Sequence, residues 1–225
     1  MFWRRRPLRY QICVPHLSKP FYELTHEETE EYFQWHLAHL QERIDYLSET
    51  VSRELGVPRS EIDGSPESLI PVWEWFLSAA KTERTPERAL RELEKQLGRH
   101  SEPFREYLLS RSKYQFSLET EYILRDIGMY LGEVFTANEP GIRWSYYEEP
   151  KSDFFVNMPV LSGFEDPRFT PPFKMYFEPI HMAGVQAAHL WHHTQKKEDL
   201  YNVYRLWADS VIPRGENVDG PSAPR

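Results

Sequence analysis

At 225 residues, 40% hydrophobic and 28% charged, the chain is long enough to bury a core unaided, about 70% of the unfolded surface at this size. A formal net charge of −8 argues against a general nucleic-acid binder, and no apolar run approaches the ~18 residues that cross a bilayer. A single cysteine, Cys13, excludes an internal disulfide and a Cys-rich zinc module.

The opening MFWRRRP carries charge but no following apolar stretch, so a secretory signal is not expected and the protein reads as cytoplasmic. Arg4, Arg5, Arg6 and Arg9, beside Phe2 and Trp3, form either an arm for anionic lipid or a solvated leader before an extended segment, Leu8 to Val14. Thr25-His26-Glu27-Glu28 has the form of a capping box. Behind it, Phe33, Leu37, Leu40, Ile44, Leu47 and Val51 recur at steps of four and three, placing one apolar stripe along a helix that Gly56 and Pro58 end. Glu27, Glu28, Glu30 and Glu31 match the positive pole of that helix, and Trp35, His36 and His39 fall near the edges of the stripe.

Ser65-Pro66-Glu67 predicts a second helix, with Leu69, Trp73, Phe76 and Ala80 on its buried side. From Thr85 a short, densely charged helix with only Leu90, Leu93 and Leu97 predicts a surface element, followed by a loop or short helix over Ser101 to Lys113. Ser117 caps the next helix, whose apolar band is Leu118, Tyr122, Leu124, Ile127, Leu131, Val134 and Phe135. Gly128 and Gly132 lie on one face of it. A glycine costs a helix interior about 1 kcal/mol relative to alanine, so both imply close approach of another backbone, expected to be the sheet.

Asn138 to Gly141 stops the helix, and Ile142, Trp144 and Tyr146 then alternate with Arg143, Ser145 and Tyr147 as a strand. Glu148 to Asp153 reads as a charged turn. Phe154, Val156 and Met158 alternate with Phe155 and Asn157 as a second strand that Pro159 ends. A Pro-rich crossing leads to a third strand over Phe173 to Glu178. Pro179 opens a helix through His193, with Met182, Val185 and His189 on one side, and Asp199 to Val211 forms the last helix. Residues 1–212 are expected to be a single α+β domain, helix-rich, with a small antiparallel sheet packed against N- and C-terminal helices, and 213–225 a disordered tail.

No pattern in the chain dictates a chemistry. No Gly-rich phosphate loop, G-x-G-x-x-G or G-x-S-x-G occurs, Cys13 with His16 cannot be placed as a catalytic pair by spacing, and no cofactor is implied. Asp126 and Glu133 stand two turns apart, a separation open to acid–base work but also to salt bridges with Arg125, Arg143 or Lys151. His189 and His193, with His181 two turns earlier and Glu178 nearby, could converge on a metal ion if they share a helix face, which would allow a metal-dependent hydrolase. The third reading is a membrane-associated adaptor using the arginine arm. The leading reading is protein binding by the hairpin, through Trp144, Tyr147, Lys151, Asp153, Phe155 and Asn157, because aromatic residues interleaved with charge are typical of recognition surfaces; equally open is that Tyr147 and Phe155 pack under the C-terminal helices in a sheet buried on both sides.

DIGMYLGEVF followed by IRWSYY and FFVNMPVLSGF, with an echo in EEYFQWHLAHLQERIDYL, resembles small bacterial α+β proteins of unknown function, some of them similar to immunity proteins of polymorphic toxin systems. The resemblance covers chiefly residues 122–164 and transfers no functional residue. It implies a cytoplasmic, non-enzymatic protein whose partner is a protein, possible partners including a toxin domain that it neutralises by binding.

Overall fold

A computed structural model describes residues 10–15, 17, 19–99, 101–148, 153–166 and 168–210. Helix α1, His26–Leu55, starts where the capping box places it: the Glu28 N–H donates to Thr25 Oγ1 at 3.2 Å and the Thr25 N–H donates to Glu28 Oε2 at 2.9 Å. Gly56 ends it in the left-handed region, φ 71°. The inward face is wider than the aliphatic stripe, taking in Tyr32, His36 and Arg43, while Leu37 is exposed.

A short 3₁₀ turn, Pro66–Ser68, leads into α2, Leu69–Ala79, which buries Trp73, Trp75 and Phe76. Residues 81–117 then leave the core and return to it at one point. Two strands missing from the sequence reading, β1 (Thr82–Arg84) and β2 (Tyr114–Phe116), pair antiparallel as a ribbon. Between them lie α3, Glu87–Gln96, none of whose residues is buried, and α4, Glu102–Arg111. Thr120 fastens the base, accepting the Lys81 N–H at 2.9 Å and donating to the Lys81 carbonyl at 3.1 Å.

Helix α5, Leu118–Asn138, is the central element, capped by Ser117 and buried along most of its length, although Leu118 itself is exposed. Its glycines are explained by two different neighbours. A Cβ on Gly128 would lie 2.5 Å from Ile180 Cα, and one on Gly132 would lie 2.1 Å from the Trp144 ring. The expected backbone approach therefore occurs at Gly128, but from a later helix; the sheet reaches Gly132 through a side chain.

Strands β3 (Arg143–Tyr146), β4 (Pro159–Asp166) and β5 (Phe173–Phe177) form an antiparallel sheet in that order. The second strand is not where alternation put it. Asp153 Oδ1 accepts the Phe155 N–H at 2.9 Å, the Met158 N–H donates to the Phe155 carbonyl at 2.9 Å, and Asn157 sits at φ 65°. Local turns thus occupy the Phe155 and Met158 N–H groups, while the Asn157 N–H donates to the Tyr147 carbonyl at 2.7 Å and the Met158 carbonyl accepts the Tyr147 N–H at 3.1 Å; regular β4 begins at Pro159, a first strand position that needs no N–H.

Helix α6, Pro179–Ala187, is also shorter than expected. The chain tightens to 3₁₀ over Ala188–His192, and His193 ends it at φ 53°. The buried side of α6 is Ala183 and Ala187, with Val185 exposed. Helix α7, Asp199–Ser210, completes the core, where Phe135, Phe164, Phe177, Tyr204 and Trp207 pack with ring centroids 4.7–5.9 Å apart. The result is a helix-rich α+β architecture. The arginine arm, Val211 and the tail lie outside the described residues.

The N-terminal segment is held by charge. Asp126 of α5 is fully buried and accepts from Arg43 Nε at 3.0 Å, from Arg125 Nη2 at 2.8 Å and from the Tyr10 hydroxyl at 2.8 Å. Arg43 also donates to the Gln11 carbonyl and Arg125 to the Cys13 carbonyl, so residues 10–13 are tied to both helices as irregular chain rather than strand. Burial, and then the Asp126 charge, push the Tyr10 hydroxyl well up, keeping it a donor.

Asp126→Asn would leave two buried guanidinium groups without their counter-charge, and removing one member of such a pair costs about 3–5 kcal/mol; chemical denaturation should read that loss, and a change under about 1 kcal/mol would contradict the network's role. For the glycines, Gly128→Ala should destabilise by about 1–3 kcal/mol through overpacking. Gly184→Ala in α6, where an added Cβ meets nothing within 4 Å, should instead stabilise by about 0.5–1 kcal/mol. Equal shifts in the two variants would refute the Ile180 contact.

Candidate functional site

The hairpin residues nominated from sequence divide into three groups. Trp144 turns inward, its indole N–H donating to Glu133 Oε1 at 2.7 Å and its ring meeting His36 at 4.7 Å between centroids. Glu133 and Asp126, the paired carboxylates, are thereby committed to separate partners. Asp153 and Asn157 build the connection between strands: Asp153 makes the turn, and Asn157 Nδ2 donates to the carbonyls of Phe21 at 2.8 Å and Leu24 at 3.2 Å. Only Tyr147 and Phe155 present a half-buried ring at the surface, and Lys151 lies outside the described residues.

Beside those two rings stand further exposed aromatic residues that strand alternation hid, in three ring groups. Phe154, assigned from sequence to an inward position, is 70% exposed. Its ring meets Phe155 at 5.4 Å, and both rings lie against His181 in the first turn of α6, at 5.8 and 5.2 Å. Tyr147 packs edge-on to Tyr176 of β5 at 4.9 Å, and Phe169 packs with Phe173 at 5.8 Å. Tyr176, Phe169 and Phe173 are also exposed. Strand β5 is an outer strand of its sheet, with one long side unpaired among the described residues.

The same connection borders a cleft of about 430 Å³, lined by Tyr22, Leu24, Thr25, His26, Tyr146, Glu148, Val156 and Asn157. Tyr146 rests edge-on against Phe33 at 5.4 Å. Its hydroxyl lies 3.5 Å from His26 Nδ1, which lies 3.8 Å from Glu148 Oε1. Desolvation first, then the charges of Glu148 and Glu30, raise the Tyr146 hydroxyl above its ordinary value. The sequence held half of this signal: Glu148 stands two positions from Tyr146, but the meeting of that strand residue with His26, 120 positions away, was not visible.

The histidines nominated for a metal do not share a face. His181 lies in α6 against Phe154 and Phe155, while His189 lies in the 3₁₀ turn with Nδ1 3.3 Å from Asp199 Oδ2. His193 is beyond that turn in the left-handed region. Among the described residues no group of three or more His, Cys, Asp and Glu is placed to hold a metal ion, and no helix is long and apolar enough to cross a membrane.

Two buried ionisable groups stand apart from every pairing above. Glu178 caps α6 by accepting the His181 N–H, and burial pushes its carboxyl up to about 7 although the backbone N–H groups of His181 and Ile180 favour the charge. His36 has neither ring nitrogen hydrogen-bonded, and burial, reinforced by Arg125, pushes its imidazole down to about 3. Compared with protein-family models, characterised proteins and solved structures, the chain matches none.

The two groups have opposite consequences for stability. The folded Glu178 keeps its proton up to about pH 7, whereas the unfolded chain releases it from about 4.5, so its contribution is complete below 4.5 and lost as pH rises through 7. The unfolded His36 gains a proton near 6.5 and the folded one only near 3, so its contribution is complete above 6.5 and lost as pH falls. Each gives a slope of up to about 1.4 kcal/mol per pH unit, and between them the slopes cancel. With Glu178→Gln, stability should fall on acidification from 6.5 to 4.5; with His36→Phe, it should rise over that window. Denaturation midpoints across pH decide it, and parallel profiles would refute the assignment.

Proposed function

We propose that the chain is a cytoplasmic, non-enzymatic protein-binding protein of the immunity type, and that it docks a partner on the aromatic surface of Tyr147, Phe154, Phe155 and Tyr176. The observation that carries this reading is the exposure of Phe154, at 70%, in a cluster of rings already braced by one another and by His181. Isolated exposed apolar residues are ordinary, but contiguous aromatic ones mark recognition sites, where a few such anchors supply most of the binding energy. The unpaired side of β5 adds main-chain donors and acceptors that an extended segment of the partner can use.

The acidic balance of the chain agrees with a basic partner, as the charge of −8 favours encounter with positive surfaces. In the immunity-type reading that partner is a toxin domain, and coverage of its surface is the whole of the activity. The sheet, rather than any constellation of reactive groups, is then the working part of the molecule.

A photo-reactive phenylalanine analogue at Phe154 should cross-link one partner protein in the native host, and the same analogue in place of Glu94, on exposed α3, should not. Phe154→Asp and Tyr176→Asp should each weaken that complex more than tenfold, about 1.4 kcal/mol, while changing stability by no more than about 0.5 kcal/mol because both rings are exposed. Capture at both positions alike, or unaltered affinity in both variants, would overturn the assignment. If the captured partner is a toxin, co-expression of the chain should restore growth, and the Phe154→Asp chain should do so poorly.

A further inference from the structure

We infer that the cleft beside Phe154 and Phe155 receives an arginine side chain of the bound partner, its guanidinium lying against the tyrosine walls with Glu148 as counter-charge. The inference rests on the protein-binding reading and names the chemistry of the partner at one point. Charge complementarity carries it. Tyr22, 69% exposed, and Tyr146 supply aromatic faces, and a guanidinium stacks on such faces more readily than an ammonium does. Glu148 lines the cleft and sets a carboxylate beside those faces.

The competing feature is the start of α1, whose positive pole faces the cleft through Thr25 and His26 and would favour an anion. That pole is already answered within the chain. The Thr25 hydroxyl accepts the Glu28 N–H, the Glu28 carboxylate accepts the Thr25 N–H, and Glu27 stands in the same turn. What remains to be met is the negative charge of Glu148, whose Oε1 lies 3.8 Å from His26 Nδ1. Val156 and Asn157 form the wall shared with the aromatic surface, as Phe154 and Phe155 precede them in the same turn. A partner resting on Phe154 is thus within reach of the cleft mouth.

Blocked arginine, N-acetyl-arginine methylamide, should titrate the tyrosine resonances of the intact protein to saturation at millimolar concentration. Its uncharged isostere, blocked citrulline, should bind at least fivefold more weakly. Glu148→Gln and Tyr22→Ala, both at exposed side chains, should each weaken arginine binding at least threefold without moving the melting temperature, and added salt should weaken it in the parent protein. Citrulline binding as tightly as arginine, blocked lysine binding more tightly, or no saturation would each overturn the inference. Failure here leaves the cross-link from Phe154 intact, whereas loss of that cross-link with arginine still titrating would refute the protein-binding reading and not the cleft.

Discussion

One fully buried carboxylate fixes the relation between the parts of this molecule. Asp126 lies on α5, and its donors come from α1, from α5 itself and from the N-terminal segment. Two guanidinium groups around one carboxylate leave a net positive charge in a region from which water is excluded. Removing ions from water costs several kcal/mol each even after relaxation, so the arrangement holds only because the remaining donors are used. The carbonyls of Gln11 and Cys13 take them. Residues 10–13 are therefore part of the charge balance, and the crossing of α1 over α5 is set by ionic geometry as much as by the aliphatic stripe.

Local rules read from sequence were sufficient where one element could satisfy itself. The capping box at Thr25, the left-handed stop at Gly56, the cap at Ser117 and the exposed, charged α3 depend on neighbours a few residues away. What failed depended on distant partners or on competition between local options. Phe154, Val156 and Met158 alternate as a strand should, but Asp153 takes the Phe155 N–H in a turn and Asn157 stands at φ 65° with its side chain on the distant carbonyls of Phe21 and Leu24, so regular pairing waits until Pro159. Arg43 carried no signal in the sequence and is buried, since the carboxylate that neutralises it lies 83 residues away. The β1–β2 ribbon was hidden because both strands are three residues long, and β1 is exposed throughout with no apolar residue to set a period.

The same competition decided which site residues were legible. Tyr147 and Phe155, nominated as aromatic residues near charge, have half-buried rings. Asp153 and Asn157, nominated as surface polar groups, shape the turn that carries Phe154. His181, His189 and His193 look like a ligand set only if one helix runs through all three, and the change to 3₁₀ geometry at Ala188 rotates them apart. Trp144 belongs to the core, because Gly132 leaves a recess for its ring and Glu133 accepts its indole N–H.

The aromatic surface is tied to the core by the same helix that carries Asp126. Gly128 admits Ile180, which sets α6 against α5 at close range; Glu178 caps α6 from within the protein; and His181, one residue past Ile180, supports the rings of Phe154 and Phe155. From the other side, Asn157 holds the turn to the carbonyls of Phe21 and Leu24. Ordering a side chain on binding costs about 0.5–1.5 kcal/mol, a cost reduced where rings are held before the partner arrives. Phe154 is exposed without being free, and on the protein-binding proposal that combination is what an anchor needs.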